Sequence, residues 1–574
     1  MKSRVRALPI ALLAIAVLVC PLLGAQQAPL LTAMKTELDR SFKALANADS
    51  IPLYFLAYHV TDTDRHSLTA SYGALSKEDE SRSRVLDIDL RVGTYDLDNT
   101  REIRGGFGFD FNFSQSPELP LSDDEKAIRT VIWNATDQDY KAALQQYTKV
   151  KTNQEVMVEQ EDTAADFSRE QPENYIGETA AAVLDAEVWK SRLREMSSLF
   201  KEYSFVEESS LELQLTNDNR FFVSSEGSMI QTGQSYARLF VRCEGTASDG
   251  MRISRYESFD ASDPADLPGD EMIIATIQRL IGELDALLKA PLAEPYIGPA
   301  ILVNRATGVY FHEIFGHRIE GHRQKSEMEG QTFAKKVGEK ILPDFIDVYD
   351  DPTQAEFNGI FLRGHYRYDD EGVKTSPVTV VEKGVLRNFL LSRSPVKGFP
   401  KSNAHGRKQA GMDAVARQGN LMVKSSNEVS FDKLVEMLRE ECRTQNKPYG
   451  LIFYDISGGF TTTSRFGPQS FKVIPLLVYK CYTDGRPNEA IRGVDIVGTP
   501  LSSFARIVAT GNDYEIFNGT CGAESGWVPV SATAPSILVS ELEVEKKFKE
   551  QEKPPLLPPP YKPTKTSDAG QEGN

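Results

Sequence analysis

The sequence predicts an α+β protein: a mixed α/β N-terminal domain followed by a strand-rich C-terminal domain that carries a helix with an H-E-x-x-x-H motif. Three observations lead there. Helical periodicity is concentrated in a few segments, strongest in "TAAAVLDAEVWKSRLREMSSLFKEY" and "DEMIIATIQRLIGELDALLKA". Alternating runs and hairpin turns dominate from Gly359 onward. Between these regions, "FHEIFGHRIEGHR" (311–323) gathers three of the chain's seven histidines and two glutamates. At 574 residues the chain is too long for one ordinary core, so two or three domains are expected.

The N-terminus reads as a leader. Lys2, Arg4 and Arg6 precede "ALPIALLAIAVLVCPLLGA", which has no charge, and Ala25 is a small residue at a plausible cleavage point. Residues 1–25 are therefore expected to be a signal peptide. The chain is expected to be exported, to the periplasm, and to keep no stable membrane span once cleaved. Val19 is bulky where a small residue normally precedes a lipidated cysteine, which disfavours Cys20 as a lipid anchor.

"LLTAMKTELDRSFKAL" is helical, "PLYFLAYHVTDTDRHSLTASYG" reads as strand, turn and strand, and "SRVLDIDLRVGTYDLD" alternates as a half-buried strand. Ser122 to about Gln154 is helical, as is the segment from Thr179 to Tyr203, which leads into strands up to Asp260. The helix from Asp270 carries acidic residues at its front, where the helix dipole favours them. "PLAEPYIGPAILV" breaks that helix with three prolines and a glycine, and the domain boundary is placed here. Residues 26–290 form the N-terminal domain and 291–546 the C-terminal one. In the latter, "FLRGHYRYDDEG", "SPVTVVEKGVLRNFLLSR", "NLMVKSS" and "SFKVIPLLVYKCYTDGRP" read as strands, with one helix in "SFDKLVEMLREECRTQ". Residues 547–574 are proline-rich and then polar, and read as a disordered tail.

The composition is that of a soluble globular protein, with 40% hydrophobic and 26% charged residues. A net charge of −17 and the lack of a basic block beyond the N-terminus argue against nucleic acid or an anionic membrane as partner. In an oxidising compartment, Cys243, Cys442, Cys481 and Cys521 permit three fully paired connectivities, with free or metal-bound thiols also open.

The histidine segment has metal-site chemistry. Two histidines with a glutamate beside the first is a zinc-hydrolase arrangement, but His312 and His317 are five apart instead of four. Five residues of regular helix turn the second ring about 140° from the first, so a wide turn at Gly316 is expected to bring them together. On a helical wheel His312, Glu313, His317 and Glu320 share a polar face, with Ile314, Phe315 and Ile319 on the other, which predicts a helix backed by core and facing a cleft. Spacing leaves the third ligand open among Glu320, His322, His365, His405 and Cys521.

"HEIFGHRIEGH", "DDEGVKTSPVTVVEKGVLRNFL", "ISGG", "IRGVDIVGTP" and "GTCG" together resemble the TldD/PmbA family of zinc metallopeptidases, in its motif-bearing TldD branch. The resemblance covers about Tyr296 to Val544. It implies zinc held by His312, His317 and Cys521, with Glu313 as general base. It also implies a dimer, of two copies or with a PmbA-like chain, that acts on unfolded peptides or peptide precursors. His322 stands where the family commonly has an acidic residue. Two other readings of the motif are a non-catalytic assembly subunit and a zinc amidase acting on a non-protein amide. The leader itself yields a test: N-terminal sequencing of the mature protein should begin at Gln26, and an intact Met1 on soluble cytoplasmic protein would remove the export reading.

Overall fold

The computed structural model describes residues 25–103, 116–156, 164–326, 328–465, 470–499 and 503–547, with 555, 557 and 560. The predicted leader, except Ala25, and nearly all of the proline-rich tail lie outside the described residues.

The first part is built on a six-stranded sheet. Leu53–Ser71 and Ala74–Val92 form a long antiparallel hairpin that turns at Tyr72 and Gly73, both at positive φ. Glu208–Ser224 pairs on the other side of the first strand, followed by Met229–Thr246, which also pairs with Arg252–Ala261. Alternation sends Leu56, Tyr58, Val60, Leu68 and Ala70 to one face. Helices Pro29–Leu45 and Glu125–Val156 cover one end of that face, and Ala186–Ser197 with Asp270–Lys289 the other. The opposite face carries Phe55, Ala57 and Phe222, packed with Phe167 and Tyr368.

The predicted helix from Thr179 begins only at Ala186, capped by Asp185. The residues before it are held extended, because Asn219 and Asn217 on the neighbouring strand accept hydrogen bonds from the N–H groups of Ala180 and Ala182 and donate back to their carbonyls. Those side-chain bonds override local helix propensity.

The second part holds two sheets. The six-stranded sheet ends with Asn420–Ser425, Gly526–Ala534 and, at its edge, Glu515–Ala523. In the eight-stranded sheet Tyr296–Leu302 pairs with both Tyr449–Thr461 and Ile537–Lys546, so part of the sheet closes on itself. Helix Phe431–Thr444, capped by Ser430, covers its outer side through Leu434, Leu438 and Cys442. The segment after Phe361, read as strand from sequence, is instead a turn: the Asp369 carboxylate accepts from the N–H groups of Glu371 and Val373 and bends the chain there.

Helix Asn304–Ile314 lies between these two sheets, against strands Tyr449–Thr461, Glu515–Ala523 and Gly526–Ala534. Every residue from Ala306 to Ile314 is buried. Strands of both sheets pack on this helix, and within it His312 and Glu313 keep 4% and 8% exposure while Tyr310, Phe311 and Ile314 keep none.

The two parts meet through ion pairs. Asp455 accepts from Arg255 and Arg305, each at 2.8 Å, with Arg255 only 1% exposed. Arg220 pairs with Asp370, Arg393 with Glu226 and Lys408 with Asp87. Removing one partner of a buried pair strands the other charge. Asp455→Asn should therefore lower stability by about 3 kcal/mol, read as a fall in the chemical-denaturation midpoint.

Candidate metal centre

Local geometry brings the two histidines together by tightening, not widening, the chain. Helix Asn304–Ile314 stops after one more residue, Phe315, and Gly316–Arg318 form a 3-10 turn. The predicted wide turn at Gly316 is thus corrected. Glycine is required there for space: a Cβ would lie 1.9 Å from Oε1 of the buried Gln418. The tighter turn redirects His317, and the two imidazole centroids sit 5.1 Å apart with planes at 74°.

Cys521 comes from the strand Glu515–Ala523, which packs on the histidine helix. Its Sγ lies 3.4 Å from His317 Nε2. One ligand atom each from His312, His317 and Cys521 falls within 4.8 Å of the others, and all three residues are buried. Glu313 is adjacent, its Oε2 4.0 Å from His317 Nε2. Among the described residues the Nδ1 of His312 is buried without a hydrogen-bond partner.

The electrostatics match a deprotonated sulfur among imidazoles. Burial alone pushes the Cys521 thiol up, but His317 and His312 outweigh it and hold the thiol well below its usual range. Burial lowers the two histidines, and Cys521 outweighs it in both, with Glu320 adding to the effect at His317. Two imidazoles and a thiolate form a borderline-soft donor set suited to zinc, and three protein ligands leave a fourth tetrahedral position.

Glu320 does not join the three ligand atoms. It stands behind them, fully buried, accepting from His317 Nδ1 at 3.3 Å and from Arg323 Nε at 2.9 Å. Burial pushes its carboxyl up, but His317 and Arg323 outweigh this and bring it to about 2. Arg417, also fully buried, faces Glu320 and donates to the Cys521 carbonyl at 2.7 Å. His322 pairs with Glu524 in the turn after the cysteine strand. His365 bonds the Pro352 carbonyl at 2.8 Å, and His405 faces Asp350 at 3.1 Å in the interior. None of these three reaches the cluster. Sequence reasoning missed Arg417, Gln418 and Glu524, which sit far along the chain in segments with no periodic or motif signal.

The cysteine strand has an open edge. It pairs with Gly526–Ala534 in a hairpin in which Gly522 opposes Trp527 and Thr520 opposes Pro529. The Trp527 N–H turns away, to Gln409 Oε1 at 3.0 Å, and proline has no N–H. At these two registers the strands exchange no backbone hydrogen bonds, so the N–H and C=O of Thr520 and Gly522 point outward on either side of Cys521. Both residues are exposed.

Comparison with known proteins agrees with this architecture. Residues 296–546 match the PmbA/TldA metallopeptidase C-terminal domain. A Methanothermobacter thermautotrophicus protein named metalloprotease is 29% identical over 336 residues, which is 55% of this chain and 65% of that protein. A Saccharolobus solfataricus protein named zinc metalloprotease TldD homolog is 24% identical over 330 residues, 56% of this chain and 68% of that one. The chain thus spans about two thirds of the length of these relatives. Among solved structures, TldE from Thermococcus kodakarensis superposes with a TM-score of 0.55 at 13% identity, covering 89% of this chain and all of that one, a likeness of fold. Residues 296–546 thus match the PmbA/TldA metallopeptidase family, in keeping with relatives named as metalloproteases.

Proposed function

We propose that this chain is an exported zinc metallopeptidase that hydrolyses peptide bonds in unfolded peptides or peptide precursors. The observation that carries the reading is the convergence of His312, His317 and Cys521, from segments some two hundred residues apart, to within 4.8 Å in a buried cluster beside Glu313. These three residues would hold the metal. When bound, zinc supplies Lewis acidity, polarising a carbonyl and acidifying water. Glu313 accepts a proton from the attacking water on its carboxylate and delivers it to the nitrogen of the leaving amine. Glu320 accepts from Nδ1–H of His317 and so fixes the tautomer that presents Nε2 toward Cys521.

The outward N–H and C=O groups of Thr520 and Gly522 give a substrate a place to lie. An extended peptide added along this edge bonds through its backbone, which demands an unfolded chain and little of its side chains. A peptide on this edge runs directly past Cys521. We also read the protein as one half of a dimer, formed with a second copy or with a PmbA-like chain.

The test combines metal content and turnover on purified mature protein. Wild type should bind one zinc and cleave unstructured peptides. Cys521→Ala should lose zinc by elemental analysis, because two imidazoles alone hold it poorly. Glu313→Gln should keep zinc and fold but lose at least about 100-fold in rate, since the amide cannot take the water's proton. Zinc without peptidase activity would favour an assembly subunit. Cleavage of peptidoglycan fragments in place of peptides would favour the amidase reading.

A further inference from the structure

Arg363 sits beside the open edge just described and, among the described residues, has no acidic ion-pair partner. It belongs to the loop after Ile360–Phe361, which the edge strand holds down: Asn518 Oδ1 accepts from Arg363 N, and the Asn518 amide donates to the Phe361 carbonyl at 2.7 Å. The guanidinium stacks on Tyr236 with its carbon 4.1 Å from the ring centroid. Its Nη1 donates to Thr520 Oγ1 at 3.0 Å and to the Gly519 carbonyl at 3.3 Å.

The other side of the fork is unused. Nε is buried with no hydrogen-bond partner among the described residues. Among the described residues Nη2 makes no hydrogen bond, and no carboxylate lies within ion-pair distance of the group. The nearest acid by environment, Asp260, is already taken by Arg238 and by the Tyr236 hydroxyl. Burial pushes Arg363 down to about 10, and the neighbouring charge of Arg238 adds to that. A cation is rarely kept half-buried without a counter-charge.

Position makes this more than a loose end. Thr520 and Cys521 are consecutive on one strand, so their side chains point to opposite faces. Arg363 contacts Thr520 and thus lies on the face away from the histidines, one residue from the candidate ligand. A peptide paired along this edge would also alternate, sending one side chain toward the histidine cluster and the next toward Arg363.

We infer that Arg363 is a specificity residue: its free Nη2 receives a carboxylate of the bound peptide, so that the substrates are peptides carrying an acidic side chain, or their own C-terminal carboxylate, next to the residue that faces the metal site. A guanidinium N–H makes a charge-assisted hydrogen bond to a carboxylate, and the fixed plane of the group aims it in a way a flexible lysine reproduces only in part. The inference rests on the peptidase reading above and narrows its substrate.

The test uses the full mature chain with zinc and a set of unstructured peptides of equal length. One arm moves a single Glu along the peptide and compares it with Gln at the same place. The other arm compares a free C-terminus with its amide. In the wild type, one position in either arm should raise kcat/KM by on the order of tenfold over its neutral counterpart, mostly through KM, and the preference should shrink at high salt. The arm that responds identifies whether the carboxylate is internal or terminal. Arg363→Gln should bring the ratio toward one, and Arg363→Lys should keep part of it. Equal rates for charged and neutral peptides in both arms, or an unchanged ratio in a folded Arg363→Gln, would overturn this inference while leaving the peptidase reading standing. Should Arg363→Gln fail to fold, the wild-type ratio and its salt dependence decide. Failure of the wild type to cleave or bind any of the peptides would instead overturn the peptidase reading, and this inference with it.

Discussion

A single buried carboxylate ties the two halves of the candidate centre together. Glu320 accepts from His317 Nδ1, so it orients one candidate ligand directly. It also faces Arg417 and Arg323, and both arginines reach the hairpin that carries the other ligand. Arg417 donates to the carbonyls of Cys521 and Gly526 and to the Ser525 hydroxyl, and Arg323 donates to Glu524. Two cations and an imidazole around one anion, all out of water, form a network in which each member's burial is tolerable only while the others are present. The position of Cys521 relative to His317 is therefore set by charge as well as by packing.

The same logic operates at larger scale. Apolar contacts cross between the two parts, as at Leu477 and Tyr368, and ion pairs around Asp455, Asp370, Glu226 and Asp87 join them as well. Apolar packing is non-directional, whereas charge pairs with fixed hydrogen-bond geometry are satisfied in one register only. One result bears on the site: Arg238, from the first sheet, donates to the Asn518 carbonyl at 2.9 Å, and Tyr236 from the same strand supports Arg363. The N-terminal part thus occupies one end of the open edge and leaves Thr520 and Gly522 exposed.

Helices with clear periodicity and end signals were legible. Phe431–Thr444 begins after its Ser430 cap, and Asp270–Lys289 runs from its acidic first turn to the proline-rich break. Legibility failed where side chains elsewhere supplied the backbone's partners, as at Ala180 and Ala182, or where a carboxylate bent an alternating run, as at Asp369. At Gly316 the residue was singled out correctly, but for backbone freedom; its role is to let Gln418 approach, and Gln418 is about a hundred positions away.

By itself the sequence determined what is local: which segments could be helix or strand, that His312, Glu313 and His317 share a short segment, and that this segment has metal-binding chemistry. Its spacing left five candidates for a third ligand, and only a family likeness pointed to Cys521. Which of them lies beside the two histidines is a matter of tertiary structure. His322, His365 and His405 are turned to other partners, Glu320 is held behind His317, and strand pairing delivers Cys521 from across the chain. The open edge and the unpaired Arg363 are equally invisible in sequence, because an edge is defined by the absence of a neighbour and an unpaired charge by the absence of a partner. Both are properties of three-dimensional surroundings, which no local pattern of residues encodes.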